Sequence, residues 1–142
     1  MEFLDGLHLH PMLVHFPIAL FVSALVFELL YLLLKKEFLH QAALTVYVLA
    51  VCLAPLAVLT GLREADELHL KHPVLDIHRR FALSALWISL ASLPVFWLAH
   101  RKSKKLFNAL FFGTLLAVVA CVCVAAYNGG RLVYEYGVGV EK

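Results

Sequence analysis

The chain has 142 residues, of which 63% are hydrophobic and only 15% charged. A soluble domain would carry about a quarter charged residues; with a mean hydropathy of +0.86, a disordered chain and an ordinary soluble globule are both excluded in favour of an integral membrane protein. The net charge of +2 is too small and too dispersed for nucleic-acid binding, and the three cysteines lie inside apolar runs, so no disulfide framework is expected.

Four apolar runs follow in chain order, at about 12–34, 41–62, 81–99 and 106–127. At 1.5 Å per residue, 19 to 23 residues reach across a hydrocarbon core of about 30 Å. The runs lack strand alternation, and lipid demands backbones satisfied within the segment, so four helices are predicted. Links 35–40 and 100–105 are short and force antiparallel neighbours. The expected fold is an all-α integral membrane four-helix bundle, up-down-up-down, forming a single domain over 1–142. Residues 128–142 read as a glycine-rich tail, with Gly129 and Gly130 expected to break the fourth helix and 132–140 to lie back over the mouth of the bundle. No internal repeat is legible.

Lys and Arg set the orientation. Six lie in the two short links, against six spread over the opposite side. The counts tie, but the density places the short links in the cytoplasm and both termini outside, in a bacterial inner membrane. The opening MEFLDGLHLHP has no basic n-region and reads as an uncleaved segment rather than a signal peptide.

Eight histidines are many for a membrane protein. His8, His10, His15, His69, His72 and His78 fall on one side, His40 and His100 on the other. Imidazole inside a span is costly without a partner and marks a functional position. His15 and His78 lie at similar depth on spans that run in the same direction. That is the arrangement of two axial ligands on one b-type haem. His10 and His72 form the reserve pair. From His78, Ala82, Ala85, Ser89 and Ser92 make a small-residue stripe, and Ala19 and Val22 continue the face of His15. Such a stripe leaves room for a porphyrin edge, although small residues also serve close helix packing. Arg79, Arg80 and Arg131 are candidates for the propionates, or for plain headgroup anchoring. A carbonyl freed by Pro17, or the hydroxyl of Thr60, is expected to orient a ligating imidazole. Glu28, the one carboxylate within a span, points about 140° away from His15 and is read as bonding a neighbouring helix or water.

The segment His10-Pro11-Met12-Leu13-Val14-His15-Phe16-Pro17-Ile18-Ala19 resembles the opening signature of the DUF2231 family of four-span bacterial membrane proteins. Thr60-Gly61, His78 and the ending Gly129-Gly130-Arg131 through Gly139-Val140 resemble the same family. The resemblance implies the four-span fold and marks His10, His15, His78 and the tail as signature positions. Some members look fused or adjacent to cytochrome c modules, which suits a redox role, but the family supplies no reaction.

The leading expectation is therefore a membrane haem b protein, an electron carrier rather than an enzyme, with a quinone or a cytochrome c-type protein as exchange partner. The alternatives are a non-haem transition-metal site built from His10, His15, His72 and His78 with nearby carboxylates, and a structural subunit of a larger membrane complex. Assembly as a homo-oligomer is compatible with each. No nucleophile–base pair and no nucleotide-binding glycine loop before a helix occurs in the sequence.

Overall fold

A computed structural model describes residues 9–67, 69 and 71–138. It contains four α-helices: α1 (Leu9–Leu34), α2 (Glu37–Glu67), α3 (Pro73–Lys102) and α4 (Lys104–Tyr134). All four are long and apolar enough to cross a membrane. His8, Gly139 and Val140 lie outside the described residues.

Each helix is longer than its apolar run, because polar residues extend it past the hydrocarbon. Two tight links follow. Lys35 turns the chain between α1 and α2 in a left-handed conformation, φ 55°. Ser103 caps α4, its hydroxyl accepting from the Leu106 N–H. Pro17, Pro55 and Pro94 sit within continuous helices.

Gly129 and Gly130 do not end α4, contrary to the expectation for the tail. The helix runs through them to Tyr134 and stops around Gly137, whose φ of +65° suits glycine. The Gly137 N–H reaches back to the Val133 carbonyl, an αL-type ending, and the Val138 N–H reaches the Leu132 carbonyl.

The helices pack as two hairpins, α1 on α2 and α3 on α4, with looser contact of α1 with α4 and α2 with α3. The second hairpin repeats the first, 68 residues later. On α1, Pro17, Phe21, Ala24 and Glu28 are buried; so are their counterparts Ala85, Ser89, Ser92 and Phe96 on α3. On α2, Leu39, Ala43, Tyr47, Ala50, Ala54 and Ala57 match Phe107, Phe111, Leu115, Val118, Val122 and Ala125 on α4, all buried. Even the exposed ion pair Arg63–Glu67 recurs as Arg131–Glu135. Two spans per repeat make both repeats enter in the same direction, the parallel kind of duplication.

Side-chain size divides the interior. At the end of the bundle holding 35–36 and 103–104, Phe96, Phe107 and Phe111 crowd around Tyr47 at centroid distances of 5.4–6.1 Å. At the opposite end alanines and glycines stand among the inward positions, and a cavity remains. Phe111 has no exposed surface. Its replacement by alanine empties roughly 100 Å³ and should cost about 2 kcal/mol by the cavity term alone, since lipid takes up the transfer term. Thermal unfolding in detergent checks this.

Candidate functional site

The cavity measures about 550 Å³ and is lined by all four helices. Two histidines face each other across it. His10 stands near the start of α1 and His78 in the second turn of α3, as counterparts in the repeat. Their ring centroids are 6.3 Å apart, with planes 85° from parallel.

Each ring is held in the same way. His10 Nδ1 lies 2.9 Å from the Ala57 carbonyl on α2, and His78 Nδ1 lies 2.7 Å from the Ala125 carbonyl on α4. A carbonyl only accepts, so Nδ1 carries the proton and donates on both rings. The sequence separation is 47 in both bonds. The Thr60 hydroxyl stands 3.3 Å from the same His10 nitrogen. Nε2 is then the nitrogen left on each ring with a free lone pair. An Nδ1–H bonded to a backbone carbonyl is the usual support of a histidine that binds metal through Nε2.

Glycine makes room for both rings. A Cβ on Gly61 would lie 2.7 Å from His10 Cε1, and one on Gly129 would lie 3.2 Å from His78 Cε1 and Nδ1. These are also counterparts. Gly129 serves close approach of an imidazole, which is why it sits inside a helix rather than ending one.

The ring separation has chemical meaning. A histidine nitrogen binds a metal at roughly 2.0–2.1 Å, and the ring centre lies about 1.1 Å behind it, so two imidazoles on opposite sides of one ion have centroids about 6.3 Å apart. A tetrahedral pair would bring them to about 5 Å. The observed 6.3 Å would let both rings reach one ion, and it is also an ordinary edge-to-face spacing of two rings.

Below the histidines the cavity is bounded by Ala54, Ala57, Ala82, Ala85 and Ala125, and it reaches Phe21 and Leu86. Phe21 is eleven residues beyond His10 on α1, about 16 Å of helix. Leu132, Val133, Tyr134 and Val138 also line the cavity, so the close of α4 and its cap lie there, 132–134 as helix rather than as a segment folded back.

The other residues singled out in the sequence are placed as follows. His15 borders the cavity but is exposed, and its Nδ1 bonds the Pro11 carbonyl of its own helix. Ala19 and Val22, on the face that continues from His15, are exposed to the lipid side. The structure thus brings His78 together with His10 rather than with His15. His72 accepts the Val74 N–H and packs 4.2 Å from the Tyr136 ring, away from the pair. Arg79 borders the cavity and reaches Asp66 at 3.6 Å. Arg80 is exposed. Arg131 bonds Glu135 and the Tyr136 hydroxyl. Ala82 and Ala85 of the small stripe line the cavity, whereas Ser89 and Ser92 are buried beneath it, Ser92 bonded to the Tyr47 hydroxyl at 2.7 Å. Among the described residues no cluster of three or more His, Cys, Asp or Glu side chains is placed to hold a metal ion.

Four spans, a duplicated hairpin and a cavity open towards one end define a polytopic membrane protein. The chain belongs to the DUF2231 family, described as predicted membrane proteins, and the family match runs over residues 6–142. No curated protein and no solved structure gave a match.

Proposed function

We propose that the protein is a membrane haem b carrier in which His10 and His78 are the two axial ligands of one haem, one from each repeat. The observation that carries this reading is the imidazole pair at the cavity, with ring centroids 6.3 Å apart, each ring fixed through Nδ1 and each backed by a glycine.

The donor set suits this group better than a bare ion. Two imidazoles leave a zinc or non-haem iron short of ligands, whereas a porphyrin brings its own four nitrogens. Of Asp66, Glu67 and Asp76, on which a non-haem site would draw, the first two stand in exposed pairs with Arg79 and Arg63. The apolar cavity beside the pair offers space for a flat macrocycle, and Arg79 at its border is the nearest cation for a propionate.

When bound, such a haem supplies a one-electron redox step. The protein does the rest. His10 and His78 would both hold the group, which would favour electron transfer over oxygen binding. The Ala57 and Ala125 carbonyls fix ring tautomer and angle. Alanines shape a dry pocket, and Tyr134 and Val138 border its mouth. The exchange partner, a quinone in the bilayer or a cytochrome c-type protein, meets the site at this end.

The density of Lys at 35–36 and 104–105 supports a cytoplasmic position for those links in an inner membrane, with the haem end and both termini outside. Lys36→Cys and Ser103→Cys should therefore react with membrane-impermeant maleimide only after the membrane is opened; labelling of intact cells would reverse the orientation. The functional reading is tested by titrating purified protein with haemin. The expected result is saturation at one haem per chain, with a low-spin Soret spectrum. Absence of a Soret band, with a stoichiometric transition metal instead, would favour the non-haem reading.

A further inference from the structure

At the opposite end of the bundle a second polar centre is buried among aromatic rings. Glu28 has no exposed surface and His40 is 5% exposed. His40 Nδ1 lies 2.7 Å from Glu28 Oε2. The Tyr31 ring lies 4.9 Å from the imidazole, and Phe107 and Phe111 meet it edge-on. The Asn108 amide donates to the Tyr31 hydroxyl at 3.4 Å. Two oxygens here, Glu28 Oε1 and Asn108 Oδ1, are buried without a hydrogen-bond partner. Polar groups from α1, α2 and α4 therefore converge, and two acceptors among them lack a proton donor. From α3 the Phe96 ring packs on Phe107 and Phe111.

We propose that the Glu28–His40 pair is a proton-binding site, loaded from the lysine-rich end of the bundle.

The duplication supplies an internal control. The counterpart of Glu28 is Phe96, and the counterpart of His40 is Asn108. The same fold is thus built in the second hairpin with no ionisable group at either place. Packing does not require the pair, and a buried ion pair is no better for stability than apolar residues of like volume. An ionisable group inside a span that the fold does not require is by default functional.

The proton balance is simple. Without the extra proton, a Glu28 carboxylate accepts the Nδ1–H of neutral His40, and the pair carries one negative charge in a region of low dielectric. Uptake of one proton on Glu28 Oε1, the oxygen left without a partner, makes the pair neutral. No electron moves, and only an O–H bond forms. Access is short. Glu28 lies six residues before the end of α1 and His40 three residues after Glu37. Glu37 and Lys104, paired at 3.0 Å, lie exposed at this end of the bundle. Tyr31 is the titratable neighbour on α1, and from α4 the facing groups are Asn108, Phe107 and Phe111.

The inference goes beyond the histidine site at the other end and does not depend on it. Its test is infrared difference spectroscopy of the purified protein between about pH 5 and 8. The expected result is a carboxylic C=O band that changes with pH, shifts in deuterium oxide, disappears in Glu28→Gln and persists in His15→Ala. His40→Gln should displace its midpoint. A wild-type spectrum with no pH-dependent carboxylic band would overturn the proposal, as would a band that survives Glu28→Gln. If Glu28→Gln does not fold, the wild-type titration and the His40→Gln midpoint decide. Haem-free protein serves equally, so failure here is separate from failure of the haem reading.

Discussion

His10→Ala and His78→Ala should each abolish a six-coordinate low-spin haem spectrum, while His15→Ala should leave it intact. In the proposed site each of the two rings would hold the haem from one hairpin. His15 borders the cavity, but its Nδ1 is bonded to Pro11 on the same helix and its side chain is exposed. Loss of a group that merely supports a ligating histidine already lowers metal affinity about 10–100-fold; loss of the ligand itself should exceed that. Haem titration followed at the Soret band checks all three variants. Equal losses in His15→Ala and His10→Ala would mean that a different pair of rings holds the iron.

Gly61→Ala should lower haem affinity tenfold or more, without touching either ligand. The added methyl would lie 2.7 Å from His10 Cε1 and 3.0 Å from both ring nitrogens. The ring cannot yield without losing its 2.9 Å bond to the Ala57 carbonyl. Gly129→Ala is milder, with a nearest approach of 3.2 Å to His78, so its effect should be smaller but in the same direction. Gly113 is the control. Nothing lies within 4 Å of a Cβ there, and alanine in place of glycine inside a helix stabilises by about 1 kcal/mol. Gly113→Ala should therefore bind haem normally and melt slightly higher. The three variants separate steric pressure on the imidazoles from a general effect on the helices.

The four spans were legible because lipid imposes length and hydropathy on every one of them. Depth alone paired His78 with His15, whereas the structure sets His78 beside His10, for a reason of phase. His10, Val14, Pro17, Phe21, Ala24 and Glu28 follow a spacing of three and four and form the inward face of α1. His15 is off that face. Glu28 held the missing signal: a carboxylate within a span must turn inward, and it lies five helical turns from His10 but about 140° from His15. The repeat was hidden because identity survives mainly where function or solvent selects it, at His10 and His78, Gly61 and Gly129, Arg63 and Arg131. In the core, complementary packing exchanged sizes, as in Ala43 against Phe111 and Phe21 against Ser89. The partnership of Glu28 with His40 joins the ends of two helices across a turn whose geometry the sequence does not state, and His40 looked like one more residue of a basic link.

Low-temperature electron paramagnetic resonance of the ferric, haem-loaded protein bears most directly on the claim that His10 and His78 share one iron. Imidazole planes 85° apart leave the two iron orbitals that bond to them nearly equal in energy. A single, strongly anisotropic low-spin signal is the expected result. A high-spin signal from five-coordinate iron, or haem that washes away from the folded protein, would contradict it.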